Sequence, residues 1–189
     1  MTGRLRLLAL AFLGGGLLFA AEPRQWPFGM QPESLAPPEL ENDSVFDLTF
    51  DSDGASRVKN VWLATPHGLL SYDGYRWTRH GMRNGLPSDF VRCVLRTKEG
   101  DLWVGTDKGA GVYDGQVFHS RGSETGLAGS NVRRIVQDRE GSLWFSSDSW
   151  PKSDGSGGIA RLRGGVWRAW HKSDGLPENY VVSRFTDSH

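Results

Sequence analysis

The chain has 189 residues, 38% of them hydrophobic and 23% charged, and its 22 basic residues balance 22 acidic ones. That composition belongs to a folded globular protein rather than a disordered one, and zero net charge leaves no electrostatic excess to hold a nucleic-acid backbone. The 25 glycines and 8 tryptophans suit a β-rich repeat of short strands and tight turns.

Residues 1–21 read as a secretory signal peptide. Arg4 and Arg6 precede an apolar run from Leu7 to Phe19, followed by Ala20-Ala21. The run is short for a bilayer span. A retained anchor is the alternative, because Leu18 or Phe19 falls where cleavage prefers a small residue. Either way the expectation is export to the periplasm or the extracytoplasmic face of a bacterial membrane. Residues 22–43 hold five of the nine prolines, show no periodicity and read as a linker.

From residue 44 the chain repeats. "GDLWVGT" at 100–106 returns as "GSLWFSS" at 141–147 and more loosely as "NVWLATP" at 60–66, so Trp62, Trp103 and Trp144 stand 41 residues apart. Ahead of each lies an apolar, partly β-branched run: Val45 and Leu48, then Val91, Val94 and Leu95, then Val132, Ile135 and Val136. Such short runs between turns are strands. The turn glycines are Gly54 of "DSDG", Gly100 and Gly141, each leading into the Trp strand. Gly68, Gly109 and Gly158 open a third strand, which ends in Tyr72-Asp73-Gly74 or Tyr113-Asp114-Gly115, with Arg163-Gly164 in the third block. A fourth strand follows, carrying Trp77, Phe118 or Trp167, and Gly-Leu turns at 85–86, 126–127 and 175–176 close each block.

Four antiparallel strands per block of about 40 residues make a propeller blade. The fold expected is therefore all-β: an incomplete β-propeller over residues 44–189, with blades at about 44–88, 89–129 and 130–178 and one strand of a fourth at 179–189. The three tryptophans are expected to be buried at equivalent places, packing one blade against the next. On the repeat spacing the fourth block's turn glycine and tryptophan fall beyond His189, so the sequence reads as the amino-terminal fragment of a longer protein.

The stretch "GLPSDFVRCVLRTKEGDLWVGTDKGAGVYDGQVF", residues 85–118, resembles the two-component regulator propeller repeat, the sensor-domain repeat of hybrid two-component systems. The resemblance covers residues 45–187. It implies an exported, non-enzymatic, ligand-sensing propeller on the outer side of a histidine kinase or related signalling protein. The partners it implies are a small-molecule or glycan ligand, the remaining blades and a downstream signalling module. No cofactor and no nucleic acid are expected.

Candidate chemistry is sparse. The third block alone inserts "SWPKSDGS", and insertions in repeat proteins map to loops on one face, often the binding face. Trp150, Lys152 and Asp154 within it are the candidate ligand-binding residues. "DSDG", Asp51 to Gly54, lacks the remaining ligands of a calcium loop, because Thr49 and Asn60 stand where two of them belong, and is expected to be a hairpin turn. His67, His80, His119, His171 and His189 have no metal-ligand spacing, and no metal is expected. Cys93, inside a strand pattern, reads as a buried inert thiol. On strict alternation Arg92 with Arg133, and Arg96 with Gln137, face away from the Val91/Leu95 row onto a channel or polar rim. An exported polysaccharide lyase or glycosidase on a propeller, or a protein-interaction scaffold, are the alternative functions.

Overall fold

Twelve strands in three antiparallel sheets make up the computed structural model, which describes residues 44–52, 58–122, 125–148, 156–179 and 181. Blade 1 consists of β1 (Asp47–Ser52), β2 (Val58–Thr65), β3 (Gly68–Tyr72) and β4 (Trp77–His80). Blade 2 consists of β5 (Val91–Arg96), β6 (Leu102–Thr106), β7 (Gly109–Tyr113) and β8 (Phe118–Arg121). Blade 3 consists of β9 (Asn131–Gln137), β10 (Leu143–Asp148), β11 (Gly158–Arg163) and β12 (Val166–Trp170). Each sheet is a four-stranded meander in chain order, and the first strands β1, β5 and β9 lie side by side. These are three blades of a β-propeller. Among the described residues no helix is long and apolar enough to cross a membrane. The signal and linker segments, Gly54, Trp150, Lys152, Asp154 and nearly all of the strand expected at 179–189 lie outside the described residues.

The cores are the seams between blades. Alternate residues of a strand point to opposite faces of its sheet, so a middle strand in a stack feeds two seams. In β6, Leu102 and Val104 join Trp62, Ala64, Leu69, Leu86 and Phe118 in the seam between blades 1 and 2. Trp103 turns the other way and joins Ala110, Leu127, Ile135, Leu143 and Phe145 between blades 2 and 3. All five residues of β6 are buried as a result. Trp62 meets Tyr113 of the next blade at 5.8 Å between ring centres, and Trp103 meets Phe145 and Trp167 at 5.4 and 6.4 Å.

Trp144 departs from this pattern. Trp62 and Trp103 are each 5% exposed, whereas Trp144 is only half-buried. Among the described residues no further blade lies over it. It stacks on Trp170 of its own sheet at 5.8 Å, and its indole Nε1 donates to Asp138 Oδ2 at 2.8 Å.

Two other expectations need correction. Asp51 and Ser52 are strand residues, paired with Asn60 and Val58, rather than part of a hairpin turn, and Asp53 and Gly54 lie outside the described residues. Strict alternation in the inner strands also fails. Val91 pairs with Thr106 and Cys93 with Gly105, leaving Arg92 as an extra, bulged residue. Val91 therefore faces blade 1, while Leu95 packs with the seam toward blade 3. Arg96 reaches back to blade 1, its Nε lying 2.7 Å from Asp51 Oδ1 as an ionic contact rather than an aligned hydrogen bond, and Gln137 Oε1 accepts from Lys98 N at 2.8 Å across the next seam.

The Gly-Leu connections lock one blade to the next. Gly85 has φ +91, and a Cβ there would lie 2.0 Å from the carbonyl oxygen of Phe118 in blade 2. Gly126, its counterpart, leaves no room beside Trp167 of blade 3, whereas Gly175 has nothing within 4 Å of an added Cβ among the described residues. Leu86 and Leu127 follow these glycines into the two seams.

Two measurements test this account. Gly74 shares the positive φ of Gly85 but has nothing within 4 Å of its added Cβ. Gly74→Ala should cost about 1 kcal/mol of backbone strain, and Gly85→Ala at least about twice that, because it must also push neighbouring blades apart. Equal losses on denaturant unfolding would show that the close approach carries no weight. The second test concerns His80, which sits in the first seam against Trp62 and Phe118, with Nε2 3.0 Å from Ser71 Oγ. Burial holds its pKa below the ordinary histidine value. The unfolded chain therefore takes up a proton more readily, and stability from this group is full above about pH 6.5 and falls as the pH drops below it. The unfolding midpoint should drop between pH 7 and pH 5 by more in the parent chain than in His80→Gln; parallel pH profiles would exclude His80 as the cause.

Candidate functional site

The polar residues that come together are at the loop end of the inner strands, at the seam between blades 2 and 3. Two bulges create the group. Arg92 is the unpaired extra residue of β5 opposite Thr106 and Gly105, and Arg133 is the extra residue of β9 opposite Ser147 and Ser146. A bulge inserts one residue without a ladder partner, bends the strand and re-aims that side chain. Here it sends two arginines out of the alternation at the same place in successive blades.

A hydrogen-bonded chain runs beneath them. Asp148, 2% exposed at the end of β10, accepts from Arg133 Nε through Oδ2 at 2.5 Å and from Asn131 Nδ2 through Oδ1 at 2.5 Å. Asn131 is fully buried, and its Oδ1 accepts from Arg92 Nε at 2.6 Å, which ties blade 2 to blade 3. The Arg92 guanidinium lies over the Phe90 ring at 4.7 Å. Burial, and next the neighbouring Arg133 charge, hold the Arg92 pKa below the usual arginine value.

The three blades differ at this point. Asp107 stands in blade 2 where Asp148 stands in blade 3, yet Arg92 does not pair with it, and Asp107 Oδ1 is buried with no hydrogen-bond partner. Blade 1 has Phe46 and Pro66 at the two places, so it carries neither charge. The tight turn Thr65–Gly68, in which Thr65 Oγ1 donates to Gly68 O at 2.8 Å, recurs at Thr106–Gly109. In blade 3 the insertion takes its place, and Ser147, at the position of Thr106, is left with a buried, unpartnered Oγ.

The residues picked from the sequence distribute differently. Trp150, Lys152 and Asp154 lie outside the described residues; in sequence they follow Asp148, where β10 ends. Gly68, Gly109 and Gly158 begin β3, β7 and β11 with φ near +135, and Gly100 and Gly141 occupy hairpin turns. Cys93 is fully enclosed, and burial pushes its thiol up to about 12, so it holds its proton and is no nucleophile. Among the described residues no group of three or more His, Cys, Asp or Glu side chains could hold a metal ion. At the far end of the seams lie two grooves of about 320 Å³ each, one lined by Trp62 and the other by its repeat counterpart Trp103, with otherwise largely different linings. Sequence reasoning sets Arg92 and Arg133 on a channel or polar rim but does not join them to Asn131 and Asp148. The signal for the group is there as arginine at one place in two blocks, but the bulge that gathers the pair leaves the 41-residue spacing intact.

Comparison with known proteins agrees with the architecture. The family described as the two component regulator propeller matches residues 85–108 and 126–149, each match spanning a Gly-Leu turn, an inner strand and a Trp strand. Among solved structures, the extracellular domain of the hybrid two-component system BT3049 from B. thetaiotaomicron superposes with a TM-score of 0.59 at 19% identity, over 74% of this chain and 18% of that one. The extracellular domain of BT4673 from the same organism gives a TM-score of 0.37 at 15% identity, over 67% and 25%. The chain thus spans about a fifth of the length of the first of these domains. No curated protein matches the chain.

The Arg133–Asp148 pair gives a direct prediction. Removing one partner strands a buried carboxylate, so Arg133→Ala should cost about 3 kcal/mol, and Arg133→Ala with Asp148→Ala clearly less than the sum of the two single changes. Additive losses in chemical denaturation would mean that the two side chains do not act as a pair.

Proposed function

Because the chain carries two-component regulator propeller repeats, we propose that it is part of the ligand-sensing, extracytoplasmic propeller of a two-component signalling protein. The two repeat matches carry this reading, and the shared fold with an extracellular sensor domain supports it. The signal-like residues 1–21 fit an exported product. On this reading the chain supplies blades and no catalysis, and the rest of the propeller and the output module lie in the parent protein. A solute held across a seam changes the relative free energy of two blade arrangements only by its difference in affinity for them. Sites that bridge blades are therefore the natural sensing positions. The Trp150 loop is a second contact on the same reading, stacking its indole on a sugar ring.

The test is phosphorylation of the full-length parent protein with and without a panel of mono- and oligosaccharides. A saccharide-dependent change in phosphorylation is expected, and Trp150→Ala should raise the concentration required roughly tenfold. Turnover of the same saccharides would instead make the parent a lyase or glycosidase. Indifference of phosphorylation to every solute, with binding only to other proteins, would make it a scaffold.

A further inference from the structure

The seam between blades 2 and 3 holds an arginine charge that the fold has moved off its repeat partner. In blade 3 the bulged Arg133 pairs with Asp148, the last residue of β10. The repeat would pair Arg92 with Asp107 in the same way. Arg92 instead crosses the seam and gives its Nε proton to the neutral amide of Asn131. Among the described residues its two terminal amino groups have no acceptor, and it forms no ion pair. Asp107 Oδ1 stays buried and unpartnered.

From this arrangement we infer that Arg92, with the bulged Arg133 of the next blade and with Asp107 at the end of the strand it pairs with, is a receptor for an oxyanion, the carboxylate or sulfate group of a solute that also offers a hydroxyl. Three observations converge on that chemistry. Arg92 is held at its Nε by Asn131 and on its face by the Phe90 ring, so the guanidinium plane is fixed while its terminal N–H groups keep donors to offer. A planar fork with free donors suits two oxygens of one anion, and a charge-assisted pair of this kind is stronger than a neutral hydrogen bond. Second, Arg133 opposes the charge on Arg92 more strongly than either Asp148 or Asp107 supports it, and Asp148 is already committed to Arg133 and Asn131. An incoming anion relieves that repulsion. Third, an unpaired buried carboxylate oxygen at Asp107 costs stability until a donor reaches it, and a ligand hydroxyl is such a donor. Blade 1, with Phe46 and Pro66 at the corresponding places, has no counterpart of the site.

The site gives the sensor reading a ligand class and rests on that reading for its use, but binding is measurable on the chain alone. The experiment follows the arginine Nε–H resonances of the 189-residue chain by NMR. The additions are sodium sulfate, sodium D-glucuronate, sodium chloride at matched ionic strength and D-glucose. A saturable shift of the Arg92 resonance with sulfate or glucuronate, and none with chloride or glucose, is expected. Sulfate alone would assign the site to sulfate esters, and glucuronate alone to uronic acids. Affinity read from backbone amides should fall roughly tenfold in Arg92→Gln and stay unchanged in Arg168→Gln, a change outside the cluster. Should Arg92→Gln fail to fold, Arg92→Lys keeps the charge without the fork and should bind more weakly than the parent chain. No saturable shift, or equal affinity in the Arg92 variants, would make Arg92 a strut between blades and overturn the proposal. Binding at Arg92 with no signalling response from the parent protein would uphold the site and count against the sensor reading instead.

Discussion

Burial of one strand on both of its faces is the constraint from which the rest of the molecule follows. A lone four-stranded sheet would leave an apolar face in water, and only a neighbouring blade removes it. The repeat is therefore a repeat of seams more than of sheets. Substitutions compensate within a seam. Where the first seam has Ala64, Leu69 and Val104, the second has Gly105, Ala110 and Phe145. Two side chains shrink as one grows to an aromatic ring. Gly105 has no freedom to return to alanine, because a Cβ there would lie 2.4 Å from Cys93 Sγ and 2.8 Å from Val132 Cγ1. Dense packing of this kind is felt at the scale of one methyl group.

Much of this is legible in the sequence alone. The tryptophan period, the glycines that open third strands and the Asp-Gly hairpins report local requirements, and local requirements repeat in sequence wherever they repeat in space. At Asp73 and Asp114 the carboxylate caps its own turn by accepting from backbone amides two and three residues on, which is why Tyr-Asp-Gly marks the third hairpin. Features that depend on neighbouring blades stay hidden. The half-burial of Trp144 reflects what lies beside blade 3, and nothing in "GSLWFSS" distinguishes it from "GDLWVGT". The bulges at Arg92 and Arg133 are hidden for another reason. A residue added at the same point of two blocks alters no spacing between them, while it inverts the face of everything beyond it in the strand.

The candidate site uses that inversion. Periodic scaffolds place equivalent residues at equivalent heights, so charge at one position becomes a regular series along the inner strands. Function needs the series broken. Here the break is chemical: phenylalanine, arginine and arginine in one row, and proline, aspartate and aspartate in the other. It is also conformational, since one arginine stays in its blade and the other leans across. Two blades with the same charges thus end in different states, one neutralised and one open.

The sequential order of the strands bears on how the chain reaches its native state. Each strand pairs with the strand immediately before or after it within its sheet. The backbone ladders therefore close between residues a few to about twenty positions apart, and the loops that must be ordered first are short. Within each sheet the loop-closure entropy of these ladders is small, which eases the formation of a single blade. Docking of one blade on the next joins residues farther apart in sequence than any hairpin does. If seams close after hairpins, weakening a seam should speed unfolding and leave the folding rate nearly untouched. Local ladders and blade-to-blade contacts would then govern different rates.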